Sequence, residues 1–234
     1  MLDTHFPDEP KNSGWTNGLD GAKVNFIRLS HGGYKWDDGM GVTRADRNFL
    51  SEFKKSTRLK NVARNSSAIS ISQLEQYSED GFPPLVFITG DAAIRGISNS
   101  DIKALRNYCL KGGMIFADAG SSSFDSSFRD LMRKVFPQKS LLQIADDDIL
   151  YRTPYVFTNG APTFWSHGGT TGLGIKHNSR WIVFYHPGYM NDAWKSSGYS
   201  DVTTEMKKNS YQLGINILYY AFNQWNDAIG KVRK

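Results

Sequence analysis

The sequence predicts an α/β protein, a three-layer α/β/α arrangement built on a mostly parallel sheet. Three observations predict it. Short apolar runs alternate with amphipathic helical stripes, the order expected of strand–helix–strand units. Several runs end on Gly, Asp, His or Ser, as at Ser30-His31-Gly32-Gly33, Gly90-Asp91, Asp118-Ala119-Gly120-Ser121 and His186-Pro187-Gly188. The runs Leu85–Thr89 and Met114–Ala117 are continuously apolar, as strands covered on both faces are.

Residues 1–22, rich in Asp, Asn, Gly and Pro, read as an irregular N-terminal arm, and 23–234 as a single α/β domain. Val24–Leu29 is the first strand. Thr43-Arg44-Ala45-Asp46 resembles a capping box with Asp in place of Glu, opening a helix with Ala45, Phe49, Leu50 and Phe53 on one face. A weak strand near Val62-Ala63 precedes a polar stretch to Asp80. Pro83-Pro84 introduces the strand Leu85–Thr89. Ser98-Asn99-Ser100-Asp101 caps a helix over about 100–111, which Gly112-Gly113 stops. After Met114–Ala117, a stripe of Phe124, Phe128, Leu131, Met132 and Val135 forms a helix that Pro137 ends. Short strands follow near Leu141–Ile144, Tyr155–Phe157 and Gly172–Lys176. His177-Asn178-Ser179 makes a hairpin turn into Trp181–Tyr185. A polar loop over 187–202 leads to a final helix with Tyr211, Ile215, Leu218, Phe222 and Trp225 inward.

Composition narrows the function. Hydrophobic residues at 39% and charged residues at 22% describe an ordinary soluble globular chain. The net charge of +5 lies in short clusters, Lys54-Lys55, Lys207-Lys208 and the tail Lys231–Lys234. Nucleic-acid binders gather such charge into a stripe, so the basic residues read as a solvated surface. Cys109, the sole cysteine, sits at helical spacing with Ile102, Leu105 and Tyr108 and reads as a buried structural thiol. No apolar run approaches the ~18 residues of a membrane span. Met1–Pro7 lacks the basic start and apolar core of a secretory signal.

The sharpest constellation is His31, Asp91, Asp118 and His186, all at predicted strand exits. The carboxyl ends of parallel strands line the ligand crevice in open α/β sheets, so the fold can gather these residues from distant positions. A metal-free polar pocket or a His–Asp acid–base pair is one outcome; a divalent metal on His31, Asp118 and His186 is another. A third is loop chemistry, in which the carboxylates cap helices or turns. Ser121 follows a strand and opens a helix, but Gly120-Ser121-Ser122-Ser123 lacks the second glycine of a nucleophile elbow. No phosphate-binding glycine motif is present, and no cofactor is expected. Asp146-Asp147-Asp148 lacks EF-hand spacing and reads as a solvated turn. Aromatic rings crowd the C-terminal half, including Trp165, Tyr189, Trp194 and Tyr199. Together with Asp192, and with Trp36 beside Asp37-Asp38, Trp165 and Trp194 are candidates to stack on sugar or to anchor a protein partner.

Several segments in order resemble a bacterial family known as domain of unknown function 4159. They are Thr89-Gly90 after an apolar strand, Leu110-Lys111-Gly112-Gly113, Ile115-Phe116-Ala117-Asp118, and Met132-Arg133-Lys134-Val135-Phe136-Pro137. The remainder are Trp181–Tyr185, Asn191-Asp192-Ala193-Trp194 and Leu213–Ala221, so the likeness runs over roughly 24–222. The resemblance implies a flavodoxin-like fold similar to class I glutamine amidotransferase domains, and an exported, periplasmic or cell-envelope setting. It implies no reaction. The cysteine nucleophile of the amidotransferases has no counterpart, because Cys109 lies mid-helix. Family members carry an Asp-His-Pro stretch where this chain reads Ala145-Asp146-Asp147-Asp148-Ile149. The resulting expectation is a non-catalytic binding or assembly module for a protein or envelope-polymer partner, with a metal-assisted or acid–base hydrolase as the alternative.

Overall fold

The computed structural model describes residues 24–57, 61–77, 83–196 and 201–232, with side chains of the last helix described as far as Gln224. The expected N-terminal arm, Tyr199, and the side chains of Trp225 and of the basic tail lie outside this description. The strands are β1 (Ile27–Ser30), β2 (Ser67–Ser70), β3 (Leu85–Gly90), β4 (Met114–Ala119), β5 (Leu142–Gln143), β6 (Leu173–His177) and β7 (Arg180–His186). The α-helices are α1 (Ala45–Thr57), α2 (Asn99–Leu110), α3 (Ser122–Val135), α4 (Met190–Trp194) and α5 (Thr204–Val232).

The strands form one seven-stranded sheet in the order β2-β1-β3-β4-β7-β6-β5. Pairings from β2 through β7 are parallel, while β6 runs antiparallel to both of its neighbours, β7 and β5. β3 and β4 are buried along their whole length. Their alternate residues feed two cores, as the pleat requires. Leu85, Phe87, Met114 and Phe116 join α1, α4 and α5 in one core; Val86, Ile88, Ile115 and Ala117 join α2 and α3 in the other. Ser98 and Asp101 close a capping box on α2. Cys109 is buried, and burial pushes its thiol up to about 12, so it is structural.

Several elements differ from expectation: β2 falls in the stretch read as polar, and the strand expected near Val62-Ala63 is a single bridge to Val24. Asp46 does not close a capping box; it turns inward to Arg28. Tyr155–Phe157 is not a strand. Tyr155 bonds a side chain in place of a neighbouring strand, its N–H donating to Asn216 Oδ1 (2.9 Å) and its O accepting from Asn216 Nδ2 (2.7 Å), while Phe157 N–H donates back to Tyr151 O (2.7 Å). Within the polar loop after β7 lies α4, five residues long and wholly buried.

Chain direction across the sheet reverses between β1 and β3: β2 lies to one side of β1, and β3 to the other. Loops leaving the two strands diverge there, and such a switch point is where open α/β sheets form a crevice.

Candidate functional site

Topology places the exits of β1, β3, β4 and β7 side by side, with Thr89, Asp118 and His186 in register across three strands. The side chains at these exits, however, are each engaged in a different task.

The two histidines make the same arrangement. His31 Nδ1 accepts the Gly33 N–H (3.0 Å), which leaves the proton on Nε2 to donate to Thr89 O (2.9 Å). His186 Nδ1 accepts the Gly188 N–H (3.0 Å), and Nε2 donates to Pro162 O (3.0 Å). Each ring is therefore a neutral clasp with both nitrogens occupied. Burial lowers the pKa of His31, partly opposed by the Thr89 carbonyl; it takes His186 down to about 4, partly opposed by the Pro162 carbonyl. A clasped ring offers no lone pair to a metal or to a substrate proton. This geometry removes His31 and His186 from the expected ligand and base sets.

Both clasps need glycine two residues on, because the imidazole folds over the backbone. A Cβ on Gly33 would lie 2.7 Å from His31 Cε1, and one on Gly188 would lie 2.7 Å from both His186 Cε1 and Trp165 O. Gly188→Ala is thus expected to lower stability by about 1–3 kcal/mol through overpacking. A thermal melt of the variant checks this, and an unchanged midpoint would refute the rigid clasp.

Asp118 is not a pocket acid either. Fully buried, it accepts the Met190 N–H at Oδ1 (2.7 Å) and the Asn191 N–H at Oδ2 (2.8 Å), capping α4 rather than the helix that follows it in sequence. Burial pushes its carboxyl up to about 7; the two N–H bonds oppose the shift, Asp192 adds to it and Arg28 opposes it. Helix α3 is capped by Ser121, whose Oγ accepts the Phe124 N–H (3.1 Å). Ser121 has extended backbone (φ −161°, ψ 163°), not the strained turn of a nucleophile elbow.

Beneath the exits lies Arg28, fully buried, which sequence reasoning missed. Its guanidinium forks onto Asp46 (Nε to Oδ2 2.7 Å, Nη2 to Oδ1 2.5 Å) and donates to Trp36 O (2.9 Å) and Asn191 Oδ1 (2.6 Å). One cation thereby ties the loop after β1, helix α1 and helix α4 together. Ser66 adds a hydroxyl bond to Asp46.

Near it the structure gathers a cluster of charged side chains. Lys195 bridges Asp38 (2.6 Å) and Asp192. Lys35 pairs with Asp91 (2.8 Å). The Tyr189 hydroxyl lies among Asp192, Asp91 and Asp38, and burial followed by these charges raises its pKa. Burial raises Asp192 to about 6 against the pull of Lys195. For Lys195 burial works downward, but the two carboxylates outweigh it and the ammonium is held protonated. His167 is half-buried nearby, its ring 6.1 Å from that of Tyr189, with burial lowering its pKa and Asp91 opposing. Tyr34, beside Lys35, is 67% exposed.

Of the sequence candidates, Asp91 and Asp192 therefore join one charged cluster, while His31, His186, Asp118 and Ser121 hold backbone. Trp194 is fully buried and stacks on Phe49 at 4.4 Å, so it is core and not a ligand platform. Trp36 is half-buried and contributes its carbonyl to Arg28. Trp165 is half-buried with Nε1 donating to Asp201 Oδ2 (3.0 Å). Among the described residues, no group of three or more His, Cys, Asp or Glu side chains is placed to hold a metal ion. The same residues contain no helix long and apolar enough to cross a membrane.

Comparison with curated proteins gives no match. Comparison with family profiles gives one described as Domain of unknown function (DUF4159), over residues 25–222. Its span covers every strand, both clasps and the whole charged cluster, and the chain belongs to the DUF4159 family.

Proposed function

We propose that the protein is a non-catalytic binding module on an amidotransferase-like, three-layer flavodoxin-like scaffold, acting in an exported or cell-envelope setting. Its ligand is a polyhydroxylated envelope polymer, taken at the crevice between the β1 and β3 exits. One observation carries the reading: of the strand-exit groups with catalytic potential, all but Asp91 spend their polar atoms on backbone. Both rings are clasped, Asp118 caps α4 and Ser121 caps α3. What faces outward at the crevice mouth suits recognition, with an exposed Tyr34 ring beside the Lys35–Asp91 pair. A tyrosine face stacks on sugar, and a carboxylate accepts sugar hydroxyls.

The test is co-sedimentation of the purified protein with insoluble cell-wall glycan. Tyr34→Ala and Asp91→Ala are each expected to weaken retention about tenfold, the loss of ~1.4 kcal/mol. Equal retention of both variants would overturn the reading. Cleavage of the glycan, abolished by His167→Ala, would replace it with acid–base hydrolysis.

A further inference from the structure

The geometry points to a pH-gated crevice, in which each of the two histidine clasps holds one half in place when neutral and releases it when protonated. This inference concerns regulation of the site proposed above and rests on that reading for its biological meaning.

Each clasp holds one half. The β1 clasp at His31 fixes the start of the loop that carries Lys35 and Asp38. The β7 clasp at His186 fixes Gly188, directly before Tyr189 and α4, which present Asp192 and lead to Lys195. The halves meet where Lys195 bonds Asp38 at 2.6 Å. Tyr189, between clasp and helix, takes a left-handed backbone (φ 58°) that favours glycine, so its conformation depends on its surroundings holding it there.

Protonation acts on both clasps in the same way. A second ring proton must go on Nδ1, where it would face the glycine N–H, setting donor against donor. The added charge would also sit in a buried place, next to Phe124 for His31 (6.0 Å) and Phe164 for His186 (4.9 Å). Among the described residues, no unpaired anion faces either ring. Around His31 stand Thr89 of β3 and the Asp91 carboxylate, which is already paired with Lys35. Beside His186 stand Tyr185 of its own strand and, in register on β4, Asp118; burial keeps the latter carboxyl largely protonated below pH 7. The ring gains its proton only by leaving with its loop.

The sign follows from linkage. The clasped state binds the proton more weakly than the released one, so clasping is fully favoured above the free-histidine value of 6.5 and weakens as pH falls. For His186 the open fraction rises about tenfold per pH unit down to about pH 4, one proton being taken up per opening.

Imidazole ¹⁵N and amide hydrogen-exchange NMR on the whole chain test this without any ligand. Expected at pH 8 are two rings in the Nε2–H tautomer and protected Gly33 and Gly188 amides. On acidification, Gly188 protection should fall about tenfold per unit, in step with His186 titration. His186→Phe should abolish the pH dependence at Gly188 and keep it at Gly33; His31→Phe should do the reverse. Should either variant fail to fold, the wild-type titration decides alone. Constant protection at both glycines through pH 4.5, or an acid response surviving in the matching variant, would overturn the proposal. Glycan retention that is unchanged while the clasps open would break their link to binding, whereas absence of glycan binding at every pH would sink only the ligand reading.

Discussion

Replacing Arg28 with Met is expected to destabilise the protein by about 3–5 kcal/mol, because it strands a buried carboxylate. Arg28 and Asp46 have side chains only 1% exposed, so once the guanidinium is gone Asp46 keeps little beyond the Ser66 hydroxyl. The loss extends beyond the pair, since the Trp36 carbonyl and Asn191 Oδ1 lose their donors as well. Urea unfolding should show a lower midpoint with an unchanged slope. The double variant Arg28→Met with Asp46→Leu should recover part of the loss, as replacing a whole buried pair by apolar groups costs less than breaking it. Recovery should be incomplete, because Trp36 and Asn191 stay unserved. A single-variant loss below about 1 kcal/mol would mean that the buried ion pair is no keystone.

Trp194→Ala is expected to cost about 3–5 kcal/mol, the usual range for emptying a large aromatic site in a core. The indole stacks on Phe49 at 4.4 Å and lies edge-on to Phe26 (6.3 Å) and Phe116 (6.2 Å). Its removal leaves a hole between α1, α4 and the sheet that these rigid rings cannot close. Chemical denaturation checks the stability loss, and glycan retention per folded molecule should stay at the wild-type level. The opposite pair of results, intact stability with lost retention, would return Trp194 to the ligand site.

The difference between Trp194 and Asp91 shows what was legible in the sequence. Continuous apolar runs disclosed β3 and β4, and the helical stripes disclosed α1, α2, α3 and α5, because burial on a repeating face leaves a periodic trace. β2, spelled Ser-Ala-Ile-Ser, leaves none: it is a short, half-exposed edge strand. The false strand at Tyr155–Phe157 had suitable residues, but Tyr155 bonds the Asn216 side chain, 61 positions away, and Phe157 bonds back to Tyr151. Helix α4 was hidden for a related reason, since its cap, Asp118, comes from 72 residues earlier.

The site was legible by position and illegible by role. Asp91 reads as a strand exit and Asp192 groups with the aromatic candidates, and the fold brings the two near each other, yet residue type says nothing about what a polar atom will bond. For the clasps a local signal did exist, a histidine followed two residues on by glycine at both His31–Gly33 and His186–Gly188. Arg28 carried no warning, because a lone cation inside an apolar strand looks the same whether it faces water or a buried partner.

The order β4-β7-β6-β5 also bears on how the chain comes together in time. The strand that completes the middle of the sheet, β7, is synthesised after β5 and β6, so β4 has no neighbour on that side until they have passed. Until then Ile115, Phe116 and Ala117 line an unsealed apolar edge, the kind of surface through which partly folded chains stick to one another. Closing it requires contacts such as Arg28–Asn191, 163 positions apart, whose loop entropy is spent before the contact rewards it. The Lys195–Asp38 contact can therefore form only after β7 and α4 have been synthesised, and it marks a chain in which the two ends of the sheet's middle have met.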